Sequence, residues 1–90
     1  MLYMVIERFK GADAAPVYER FAAQGRMLPA GLEYIDSWVS ASMDRCYQLM
    51  ACDDQTLFEV WTRRWSDLVE FEIVPVVSSA DAAQQYQARG

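Results

Sequence analysis

GLEYIDSWVSA (residues 31–41) and RCYQLMAC (residues 45–52), separated by the polar turn SMD (residues 42–44), decide the fold of this chain. Both arms alternate side chains with a period of two, and a short polar turn joins them. That pattern reads as an antiparallel hairpin near the middle of a 90-residue sequence. What flanks the hairpin then sets the topology.

Upstream, MLYMVIERF (residues 1–9) alternates as a strand and Gly11 ends it. Asp13 is suited to cap a helix, and Pro16 fits its first turn. The helix is expected over about residues 14–27, with Val17, Phe21 and Leu28 on one side, until Pro29 and Gly31 stop it. Downstream, Asp53 or Asp54 caps a second helix, in which Leu57, Val60, Trp61, Trp65 and Leu68 recur at helical spacing. Glu59 and Arg63 stand four apart on its wet side. LVEFEIVPVV (residues 68–77) is the last strand. Its Pro75 cannot donate to a ladder and so belongs at a sheet edge. Residues 1–78 form one domain in this reading, and residues 79–90 are a C-terminal tail with helical propensity that Ser79 could cap.

The order β-α-β-β-α-β predicts an α+β, ferredoxin-like fold with a four-stranded antiparallel sheet. Right-handed crossovers place both helices on one face and leave the other open. With Leu2, Met4, Ile6, Leu49, Phe71 and Ile73 toward the helices, the open face would carry Tyr3, Val5, Glu7, Asp36, Trp38, Cys46, Gln48, Met50, Glu72 and Val74. A slip of one residue would invert any of these strands.

Hydrophobic residues make up 53% of the chain, with three Trp, five Tyr and four Phe. So much apolar surface in one small domain points to a second subunit covering part of it. Two open faces packed about 10 Å apart would enclose a cavity lined by both subunits, which makes a homodimer the expected assembly. Thirteen acids against eight bases argue against a nucleic-acid partner or an anionic membrane surface. No apolar run nears the roughly 20 residues needed to span a bilayer. Met1 to Phe9 is too short for a signal peptide and is interrupted by Glu7, so the cytoplasm is the expected compartment.

Cys46 and Cys52, if on one strand, would stand about 20 Å apart, beyond the reach of a disulfide. They read as free thiols. With no His in the chain, neither a metal site nor a cofactor is expected.

Candidate ligand-binding residues are Glu7, Asp36, Trp38, Gln48 and Glu72. Acids crowded in an apolar cavity lose solvation and repel one another, which raises their pKa values into the range of a base working near neutrality. Their bland alternative is a place in water at strand ends, or pairing with Arg8 or Arg45. Trp38 offers a flat apolar contact and Gln48 an orienting donor and acceptor, although Trp38 could merely seal a dimer interface. Trp61 and Trp65 read as core, Cys46 as a small buried hydrophobe, and the Asp53-Asp54 pair as helix capping.

The stretches MLYMVIERFK (1–10), GLEYIDSWVSA (31–41), RCYQLMACDD (45–54) and WSDLVEFEIVPVV (65–77) resemble a family of short bacterial proteins classed as a domain of unknown function. The resemblance covers about residues 1–80, and RCYQLM followed by CDD is its most specific part. It implies a ferredoxin-like fold of the dimeric α+β barrel kind. The wider fold group holds cofactor-free monooxygenases, muconolactone-type isomerases and small stress-responsive barrels, and kinship at that distance assigns no reaction. No catalytic residue carries over, and the absence of His departs from the oxygenase pattern.

Two functions follow as expectations. One is a small-molecule site in a homodimer, taking a compact apolar organic ligand, with Glu7 or Glu72 as base and Trp38 and Gln48 as positioning groups. The other is a non-catalytic dimerisation or protein-interaction module.

Overall fold

The computed structural model describes residues 1–89. Strands β1 (Leu2–Phe9), β2 (Glu33–Val39), β3 (Arg45–Ala51) and β4 (Val69–Val76) alternate with helices α1 (Ala15–Gln24) and α2 (Leu57–Arg63), and helix α3 (Ser79–Ala88) follows. The sheet runs β2-β3-β1-β4 and every pairing is antiparallel. This is the α+β, ferredoxin-like arrangement. β4 lies at an edge, where Pro75, without an N–H, is accommodated.

Local chemistry sets most element ends close to where the sequence puts them. Helix α2, however, stops at Arg63, so Trp65 and Leu68 lie in the turns beyond it and not on the helix as their spacing suggests. The Asp13 carboxylate accepts the Ala15 amide at 3.0 Å and opens α1. The helix is shorter than expected because Gly25 takes φ +67 and donates its amide to the Phe21 carbonyl at 2.7 Å. Asp54 accepts both the amide and the hydroxyl of Thr56 ahead of α2. Ser78 rather than Ser79 caps α3, accepting the Asp81 amide at 3.0 Å. The hairpin loop spans residues 40–44, two more than the SMD turn, because the Ser40 amide already donates to the Arg45 carbonyl. Among the described residues, Glu59 and Arg63 form no ion pair; Arg20 and Asp67 do, through two hydrogen bonds of 2.7 and 2.6 Å.

The core lies between the sheet and the helices. Val5, Met50 and Trp61 are fully buried at its centre, with Tyr3, Phe9, Phe58, Trp65 and Val69 around them. The Tyr3 and Phe58 rings meet edge to face with centroids 5.0 Å apart, and Trp61 meets Phe71 at 5.3 Å.

These contacts correct the expected facing of two strands. Tyr3, Val5 and Glu7 on β1 and Cys46, Gln48 and Met50 on β3 turn toward the helices, whereas Leu2, Met4, Ile6 and Leu49 line the open face. β1 and β3 are apolar on both sides, so alternation alone could not orient them. β4 faces as expected, since Glu70 and Glu72 alternate with Val69, Phe71 and Ile73 and leave one greasy side.

The register of β2 shifts between Tyr34 and Asp36, so Ile35 bulges out of the ladder. Without the extra residue Tyr34 and Asp36 would share a face. With it, Tyr34 pairs beside Met50 on the helix side and Asp36 beside Leu49 on the open side.

Candidate functional site

A pocket of about 140 Å³ opens between the sheet and the helices. Its walls are apolar and largely aromatic: Phe9, Val17, Tyr18, Phe21, Val39, Trp61 and Trp65. Its polar lining is confined to Glu7, Arg26, Ser37, Cys46 and Gln48. An engineered apolar cavity of about 150 Å³ holds a benzene molecule, so this space suits a ligand of that order.

Glu7 stands on β1 directly across from Cys46 on β3, with Gln48 one step along the same face. Loss of solvation raises the Glu7 pKa from its ordinary 4.5 to about 7; the Cys46 thiol, hydrogen-bonded to the carboxyl, and the charge of Arg26 offset part of that rise. Burial, with the Glu7 charge beside it, pushes the Cys46 thiol up to about 12. Cys46 is therefore a proton-holding neighbour, not a nucleophile near neutral pH.

Arg26 follows α1 and forms the polar rim of the pocket. Its Nε donates to Gln48 Oε1 at 3.1 Å, while Gln48 Nε2 donates to the Met50 sulfur at 3.4 Å. Its guanidinium carbon lies 3.6 Å from the centre of the Tyr34 ring and 5.0 Å from that of Phe21. The bulge at Ile35 is what brings Tyr34 under this cation.

The backbone of the same segment is tied down. Trp61 and Trp65 donate their indole N–H groups to the one Arg26 carbonyl, at 2.9 and 3.0 Å, filling its two lone pairs. Arg64 donates to the next carbonyl, that of Met27, at 2.7 Å. Met27 has φ +57, a left-handed conformation that a long side chain adopts only when its surroundings enforce it. These three hydrogen bonds supply that enforcement.

The five residues expected to form one site divide between two faces. Glu7 and Gln48 meet in the pocket. Asp36, Trp38 and Glu72 lie on the open side of the sheet. There Glu72 accepts from Arg8 at 3.3 Å, Asp36 accepts its neighbour Ser37's amide at 2.8 Å, and Trp38 is 53% exposed beside Tyr47. Arg26 was missed because it sits in a loop, where no periodicity assigns it a direction. Trp61 and Trp65 are core residues as expected, Trp61 from α2 and Trp65 from the turn after it, and they wall the pocket as well. Among the described residues no group of three or more His, Cys, Asp or Glu is placed to hold a metal ion, and both cysteines are free and buried.

Fold and pocket together define a ferredoxin-like α+β domain with a ligand-sized space between its two layers. The family model described as Domain of unknown function (DUF3303) matches residues 1–90, and the chain belongs to that family. No curated protein and no solved structure matches it.

Proposed function

We propose that the domain binds a compact, mostly apolar organic molecule in the pocket between sheet and helices. The observation that carries this reading is the convergence of Glu7, Arg26 and Gln48 at one side of an aromatic-walled space. Few polar groups aimed into an apolar pocket are the usual form of a small-ligand site. A neutral aromatic probe, benzyl alcohol, tests it through the emission of Trp61 and Trp65. Titration is expected to give a saturable change, and Val17→Phe, which fills the pocket from α1, is expected to abolish it while the protein remains folded by circular dichroism. An unchanged titration in Val17→Phe would place the probe elsewhere.

The open sheet face supports a second element of the proposal, a homodimer. Leu2, Met4, Ile6, Tyr47, Leu49 and Val74 lie side by side there, partly exposed in the single chain, with Trp38 at their border. A contiguous apolar surface of this kind marks an interface. Leu49→Lys, at its middle, is expected to leave a monomer at micromolar concentration by light scattering, where the unsubstituted chain gives a dimer. A monomeric unsubstituted chain would overturn the dimer. The non-catalytic module is the reading that remains if this face associates and the pocket stays empty. Two free cysteines suit a reducing cytoplasm, the compartment proposed; among the described residues no helix is long and apolar enough to cross a membrane.

A further inference from the structure

We infer that the ligand is a compact aromatic carboxylate, held by Arg26 and bound together with a proton carried by Glu7. The inference rests on the pocket being a ligand site and names the chemistry it selects.

Arg26 is the single cationic residue in the lining. Its guanidinium carbon sits 3.6 Å over the Tyr34 ring centre and its Nε is committed to Gln48, which fixes the direction of the fork. Among the described residues its two terminal nitrogens make no hydrogen bond. A guanidinium so oriented matches the two oxygens of a carboxylate, and stacking limits the freedom lost on binding. The aromatic walls of Phe21, Trp61 and Trp65 suit the flat body behind such a head group.

Glu7 sets a condition on this match. When ionised, it already offsets the Arg26 charge, and a second carboxylate beside it would meet repulsion. When protonated, it leaves the cation uncompensated and presents an O–H donor to the incoming carboxylate. The groups facing Glu7 add no further charge to this pair. Besides Arg26 itself, they are Cys46 from β3, whose thiol stays protonated, Tyr18 from α1 at the pocket wall, and the apolar rings of Phe71, Trp61 and Trp65. With Glu7 titrating near 7, binding of a permanently ionised acid takes up one proton.

Benzoate, ionised throughout the range, and benzyl alcohol, its neutral counterpart, make the test by calorimetry in two buffers of different ionisation enthalpy. Benzoate is expected to bind more tightly than the alcohol at pH 6, with uptake of a proton that appears as pH rises past neutrality. Its affinity is expected to fall about 30-fold by pH 8.5, as the protonated fraction of a group titrating near 7 falls. Glu7→Gln keeps an N–H donor at the same place and is expected to bind benzoate with no pH dependence. Arg26→Met is expected to lose benzoate more than tenfold while retaining the alcohol, which also reports that the pocket is intact; Arg26→Lys is expected to recover part of the loss. Alcohol binding equal to or tighter than benzoate binding, or a pH dependence that survives in Glu7→Gln, would overturn the carboxylate inference and leave the pocket reading standing. Binding of neither probe would sink both.

Discussion

Glu7→Gln is expected to stabilise the fold increasingly as pH rises from 5 to 8. The folded protein holds a proton on Glu7 up to about pH 7, whereas the unfolded chain releases it near 4.5. Between those values the folded state binds more protons, so the Glu7 contribution is complete below pH 4.5 and is lost progressively up to about 7. The full shift corresponds to roughly 3 kcal/mol, and about 2 kcal/mol is expected because one side of the carboxyl meets the open pocket. Glutamine has nearly the same shape and no charge to desolvate. In urea denaturation, the variant should gain about 2 kcal/mol over the unsubstituted protein between pH 5 and 8, which corresponds to roughly 8–16 °C in Tm for a domain of this size. The comparison cancels every other titrating group. Parallel stability curves for the two proteins would show that Glu7 ionises as it would in water.

Trp61→Ala is expected to have the larger effect, in the opposite direction. Trp61 is 1% exposed, and its ring meets both Phe58 and Phe71. Truncating a buried Trp to Ala costs about 3–5 kcal/mol, against about 5–15 kcal/mol for the stability of a whole domain. The lost hydrogen bond adds less, since the Arg26 carbonyl keeps Trp65 as a donor. Trp61→Phe separates the two contributions. It retains an aromatic ring and loses the indole N–H, so a cost near 1–2 kcal/mol is expected in the same denaturation experiment. Equal losses for the Ala and Phe variants would mean that the hydrogen bond, not packing, holds this side of the core.

The order of elements was legible because each carried a local signal: alternation in the strands, a proline at the edge, aspartates ahead of the helices. The facing of β1 and β3 was not. Leu2, Met4 and Ile6 are as apolar as Tyr3, Val5 and Phe9, and Glu7 and Gln48 suggested a wet side. That suggestion failed because both polar groups are satisfied inside, Gln48 by Arg26 and Glu7 by holding its proton beside Cys46. The candidate site was half legible for the same reason. Glu7 and Gln48 stand out in any reading of the strands, but their meeting with Arg26 depends on a loop conformation and a one-residue bulge. Neither leaves a periodic trace in the chain.

The convergence of two indoles on one carbonyl gives the protein separate optical channels. Trp61 and Trp65 answer to the position of a single oxygen, so any displacement of residue 26 alters the polarity sensed by both at once. Trp38, the third tryptophan, lies on the opposite side of the sheet and is exposed there. The proposed pocket ligand and the proposed sheet interface would therefore report through different tryptophans, and Trp38→Phe would silence the second signal and leave the first.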